Sequence, residues 1–197
     1  MINSVVTLKV EKTIYFDSPE EADTELTLKA AKERAEALNI SDIIVASTTG
    51  ATGMKAVELF QGFNLVIVRH HTGFEQPNVQ QMRPEYEAEI VKRGAKLLTA
   101  THALSGVERS IRRKLNTYGP VEILAEGLKM LGNGLKVCIE IAVMAADAGL
   151  VSVDRDCVAV AGSGGGADTA VVLKPANSNN FFDLYVREII VKPRSRG

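Results

Sequence analysis

Apolar residues recur along this chain with two alternating periods, and each change of period marks a joint between elements. The runs Ile43–Ala46, Leu65–Val68 and Lys96–Leu98 are short, apolar and rich in branched side chains, which predicts buried strands. Between them, Gly53–Phe60 and Pro84–Arg93 space their apolar residues as helices do, with a loop around His70–Pro77. Upstream, Ser18-Pro19-Glu20-Glu21 joins a capping serine to a proline and an acid, and predicts a helix from there to near Leu38. Strands alternating with helices imply a parallel sheet with crossover connections.

The pattern then changes. Ser105-Gly106-Val107-Glu108 reads as a second capping box, and Tyr118-Gly119-Pro120 as a break. Helices follow around Val121–Leu131 and Leu135–Ala148, so three helices run in succession. The last is apolar nearly all round, as expected of a helix packed on several sides, and Gly149 is placed to end it. Beyond it, "DCVAVAG", "TAVVLKP" and "FFDLYVREIIVKP" read as strands.

Composition narrows the function classes. A chain of 197 residues with 46% apolar content buries a core as one domain, residues 1–197. A net charge of −1 gives no overall attraction to nucleic acid or to an anionic membrane, so a small ligand fits better than a polymer. Charges interrupt the N-terminal apolar residues, and no segment reaches the length of a membrane span. Cys138 and Cys157 lie in apolar stretches without metal or disulfide spacing, which points to the cytoplasm.

The strongest local signal is Ser47-Thr48-Thr49-Gly50-Ala51-Thr52-Gly53, four hydroxyls and two glycines at a strand-to-helix turn. Such a turn presents backbone N–H groups to an anion, and ligands of open parallel sheets sit at the carboxyl ends of strands. It is not a nucleotide-triphosphate loop, because Met54 rather than lysine follows Gly53. Gly162-Ser163-Gly164-Gly165-Gly166 matches a dinucleotide fingerprint in letters, yet the β-branched residues after it predict a connection between strands. It serves either as a turn or as backbone that approaches a ligand closely.

His70-His71 and Thr101-His102 each follow a predicted strand and should reach the same rim. No helix carries two histidines at metal-ligating spacing, so they read as hydrogen-bonding residues and no metal is expected. Arg109, Arg112, Arg113 and Lys114 form a basic helix face without interleaved aromatics, read as solvated. Glu140 and Asp147 share one face of the apolar helix, either its wet side or a wall of the cleft.

The stretches "KTIYF", "DIIVASTTGATGMKA", "TATHALSGVERSIRR", "KVCIEIAVMAADAGL" and "GADTAVVLKPANSNNFFDL" resemble archaeal and bacterial proteins similar to the isolated C-terminal α/β domain of pyruvate kinase. The resemblance implies an α/β three-layer sandwich with a mainly parallel sheet. It also implies that Ser47 to Thr52 correspond to the turn holding an effector's phosphate, without kinase activity, since the catalytic barrel has no counterpart here. Gly165 stands where the family often carries a basic residue.

The expected function is therefore binding of a phosphate-bearing small molecule, flavin mononucleotide (FMN) first. Ser47, Thr48, Thr49, Gly50 and Thr52 hold the phosphate; His71, Thr101, Gly162, Ser163, Gly164, Gly166, Pro175 and Asn177 shape the rest. Two alternatives stand beside it: an oligomerisation or interaction module with a vestigial cleft, and an enzyme using His71 or His102 beside the ligand. A homo-oligomer is expected, with no nucleic-acid or membrane partner.

Overall fold

A computed structural model describes residues 8–196. The elements are β1 (Ile14–Phe16), α1 (Thr24–Ala37), β2 (Asp42–Ala46), α2 (Ala51–Leu59), β3 (Asn64–Arg69), α3 (Pro84–Lys92) and β4 (Lys96–Thr99). They continue with α4 (Glu108–Leu115), α5 (Pro120–Lys129), α6 (Asn133–Asp147), β5 (Cys157–Ala161), β6 (Thr169–Lys174) and β7 (Tyr185–Pro193). The seven strands form one sheet in the order β1-β7-β6-β5-β2-β3-β4. All neighbours are parallel except β6, which runs against both β5 and β7.

Strand periodicity divides the core into two layers. Ile43, Val45, Ile67, Val158 and Val160 point to one face, where Leu28 and Ala31 of α1, Ala56 of α2 and Ile90 of α3 cover them. Ile44, Val66, Val68, Ala159 and Val171 point to the other, under Ala125 of α5 and the apolar length of α6. Helices on both faces explain why the central strands are continuous apolar runs rather than alternating ones. In α6, Val137 is the only residue between Gly134 and Ala146 that is not buried. The fold is thus an α/β three-layer sandwich with a mainly parallel sheet.

Several element boundaries differ from the expectation. Ser18 starts only a 3-10 turn at Pro19–Glu21 and makes no capping bond. The helix begins at Thr24, where the Asp23 carboxylate accepts from the N–H groups of Glu25 and Leu26 at 2.7 and 3.1 Å. An aspartate three residues upstream of the first apolar helical position, Leu26, outcompetes a serine whose following proline and acids close into a tighter turn. Ser105-Gly106-Val107-Glu108 is not a capping box either. Glu108 accepts from the N–H of Glu122 at 2.8 Å, so it caps α5 from across the break. Phe181 and Phe182 fall in a second 3-10 segment, Ser178–Asp183, and β7 starts only at Tyr185.

Candidate functional site

Because β2, β3, β4 and β5 are mutually parallel in the sheet, the loops after them emerge at one rim. There they line a cleft of about 720 Å³. The Ser47 turn forms its floor. Ser47 is buried, and its Oγ accepts from the N–H of Gly53 at 3.0 Å, which fixes the entry into α2. Gly50 holds φ +100, and a Cβ there would lie 2.6 Å from Tyr86 Cβ. Glycine is therefore required twice over, for the left-handed backbone and for close approach of α3. Gly50 shapes the turn from behind, while Ser47, Thr48, Thr49 and Thr52 line the cleft.

One wall is aromatic. His70 Nδ1–H donates to Gln81 Oε1 at 2.7 Å, which leaves Nε2 to accept from the Thr48 hydroxyl at 3.5 Å. The Phe74 ring stacks on His70 with centroids 3.9 Å apart and on His102 at 5.1 Å. All three histidines of the chain meet here, His71 touching His102 edge-on at 5.4 Å. Burial lowers the pKa of His102 to about 4; Glu140 opposes the shift, while His70, His71 and Arg109 add to it. The ring is therefore neutral at physiological pH. Among the described residues, no three His, Cys, Asp or Glu side chains form a group able to hold a metal ion.

The rest of the lining comes from α6 and α4. Lys136 Nζ donates to Glu140 Oε2 at 2.6 Å, both side chains nearly buried, and Glu140 Oε1 accepts from the N–H of Leu104 at 2.9 Å. Glu140 therefore faces the cleft, whereas Asp147 lies at the far end of α6, accepting from Ser178 N–H at 2.9 Å and Asn177 at 3.3 Å. Arg109 leaves the basic face of α4 and places its guanidinium 4.4 Å over the Phe74 ring. Arg112 instead pairs with Glu122.

The Gly162–Gly166 loop closes the rim as a hairpin connection between β5 and antiparallel β6, so it opens no helix. The Asp168 carboxylate holds its base, accepting from Ser163 N–H at 2.6 Å and from the Thr169 hydroxyl at 2.5 Å. Gly164 and Gly165 have open space around them. Pro175 and Asn177 need correction as cleft residues. They follow β6, whose reversal delivers its carboxyl end to the opposite edge of the sheet. Thr101 is exposed beside Gly106 and His71 reaches the cleft only through its ring contacts; neither lines it.

Phe74, Arg109 and Lys136 line the cleft although sequence reading did not place them there; His70 was expected at the rim without a ligand role, and Glu140 was left between a wet face and a cleft wall. One signal was available: Lys136 and Glu140 are four apart on a helix otherwise apolar, a spacing that pairs buried charges on one face.

These features define a class: a three-layer α/β domain whose cleft lies at the carboxyl ends of its parallel strands. Residues 25–173 match the family model for the pyruvate kinase alpha/beta domain, and the chain belongs to that family. The matched region runs from α1 to β6, so β1 and β7 extend the sheet outside it. Among solved structures, the chain is similar to a hydrogen sulfide-producing enzyme crystallised with an α-aminoacrylate intermediate, at 16% identity and a TM-score of 0.29. That match covers 54% of this chain and 28% of the enzyme. No helix among the described residues is long and apolar enough to cross a membrane.

Proposed function

We propose that the rim cleft binds a phosphate-bearing small molecule with a planar ring, FMN being the favoured candidate. One observation carries the reading: the hydroxyl-rich turn at the start of α2 and the His70–Phe74 ring stack share a single cleft. Hydroxyls and helix-terminal N–H groups suit a phosphate, and a ring stack suits a flat heterocycle. Kinase chemistry is not part of this reading, since the match is to the α/β domain alone. Two free, buried thiols fit a reducing compartment such as the cytoplasm.

The test is native mass spectrometry of the purified protein, with an absorbance scan for flavin and a thermal-shift series with FMN and other phosphate-bearing metabolites. A co-purifying phosphorylated compound, or a saturable upward shift, supports the reading. No bound compound and no shift with any of them defeats it.

A second reading makes the protein an enzyme in which His102 acts as a base toward the bound ligand. It is favoured by the neutral, half-buried state of that ring at the cleft. A third assigns the exposed apolar residues Val107, Leu115, Tyr118, Ile123 and Met130 of the α4–α5 region to a contact with a second copy. Sedimentation of the purified protein decides that point.

A further inference from the structure

Among the α-helices, α4 is held unlike the rest. Each of the others buries at least one residue, whereas α4 buries none, and no residue from Gly106 to Pro120 is buried. Ile111 and Leu115, with Val107 just before the helix, recur every four positions and are exposed. A helix this short is marginal in water and normally takes its stability from a packed apolar face. The contacts that place α4 are instead made by charged side chains. Arg109 rests its guanidinium 4.4 Å over Phe74 in the cleft and donates to the Ser105 hydroxyl at 3.2 Å. Arg112 pairs with Glu122 at 3.1 Å, and the Glu108 carboxylate accepts from Glu122 N–H at 2.8 Å. Polar contacts at half-exposed side-chain tips cost little to break.

The chain is anchored on both sides of α4, and between each anchor and the helix it passes through a left-handed residue. Glu140 fixes Leu104 N–H at 2.9 Å, and Gly106 follows with φ +44. Asn116 ends α4 with φ +50, before Glu122 and Ala125 of α5 become buried. A short rigid helix between two such turns, with no buried side chain of its own, has the build of a hinged segment. Arg109 is the α4 residue that lines the cleft, over the ring that also meets His102 at 5.1 Å. We infer that α4 is a lid, swinging about Gly106 and Asn116 as one piece, with the Arg109 contact to Phe74 as the latch that closes the cleft. This inference rests on the reading of the cleft as a ligand site, since a lid admits what the cleft holds.

Two substitutions loosen α4 without changing the lining of the cleft. Glu122→Ala removes the partner of Arg112, and Gly119→Ala sets a Cβ against the Glu108 carboxylate and dislodges it from Glu122 N–H. The probe is diethyl pyrocarbonate, which acylates neutral imidazole, with peptide mass spectrometry to follow the neutral His102 ring. Reaction at His102 should be about threefold or more faster in both variants, the shift in opening expected when a half-exposed ion pair or a cap is lost. The buried Cys138 thiol should stay unreactive toward a maleimide in parent and variants alike, so that the movement is confined to α4. In hydrogen exchange of the parent, the amides of α4 should exchange faster than those of α5. Unchanged reaction at His102 in both variants overturns the lid, as does a rise there that always comes with a rise at Cys138. Amides of α4 as slow as those of α5 also overturn it, whether polar ties or a second copy hold the helix still. The reagent needs no ligand, so a lid that fails here leaves the phosphate reading intact. That reading fails instead in the mass-spectrometry and thermal-shift tests of the cleft.

Discussion

Single residues in the cleft make opposite demands on stability and binding, and variants separate them. Gly50→Val forces a β-branched side chain into φ +100 against Tyr86, and should destabilise the fold by at least about 2 kcal/mol in urea unfolding. Thr49 is exposed at the turn, so Thr49→Val should leave stability nearly unchanged while weakening phosphate binding by roughly 1–3 kcal/mol. Lys55 offers the contrast. Its ammonium pairs with Glu25 at 3.0 Å outside the cleft, so Lys55→Ala should change ligand affinity less than Thr49→Val. Abolished binding in Lys55→Ala with normal binding in Thr49→Val would exclude a hydroxyl-and-backbone cradle. His102 adds a pH dependence. Its pKa is lower in the fold, about 4, than the ordinary 6.5, so the unfolded chain takes up a proton that the folded one refuses. Stability is therefore intact above about pH 6.5 and falls toward pH 4, by on the order of 2–3 kcal/mol, and His102→Phe should flatten that part of the profile.

At the scale of elements, α6 shows how one helix serves both core and cleft. Its apolar surface packs on the sheet, while its first turns carry the Lys136–Glu140 pair to the rim. Lys136→Met strands a nearly buried carboxylate and should cost roughly 3 kcal/mol. Adding Glu140→Gln restores neutrality and keeps an acceptor for Leu104 N–H, so the double variant should lose less than the single one. Equal losses in thermal unfolding would show that the pair contributes nothing as a pair. The apolar periodicity of α6 was legible in the sequence because a helix buried on several sides has few polar positions. The caps were not: serine, aspartate and glutamate all satisfy free N–H groups, and only the path of the chain shows which donor each one meets. Glu108 serves α5 across a turn that the sequence spacing assigned to α4.

Across the whole molecule, both cysteines report on global unfolding. Cys138 is wholly buried, its thiol donating to the Ala159 carbonyl at 3.4 Å, and burial raises both thiol pKa values. Thiol reagents at mildly alkaline pH should leave the folded protein unmodified and should modify both residues once denaturant unfolds it. Rapid modification of the native state would show that the α6 layer opens locally. A phosphate held by hydroxyls and backbone N–H groups, as proposed for the Ser47 turn, is attracted only at short range, so raising salt to roughly 0.5 M should reduce affinity by less than about tenfold. A steeper loss in titration would point to long-range attraction by clustered cations instead.

The sequence by itself determined the order of strands and helices from α1 onward, the burial of the central strands and the place of the hydroxyl-rich turn, while β1 went unread. Each of these is set by residue spacing within one element or one joint, where period and side-chain size act locally. Only the tertiary structure decided which distant loops meet. Pro175 and Asn177 were expected to shape the cleft, and the reversal of β6 sends them to the opposite rim. Nothing within "TAVVLKP" encodes its direction, because an antiparallel and a parallel strand buried on both faces carry the same apolar run. Arg109, Phe74 and Lys136 come to the cleft of the Ser47 turn from three separate segments. Their meeting depends on sheet order and helix packing, which are settled by the fit of whole layers and not by any short stretch of chain.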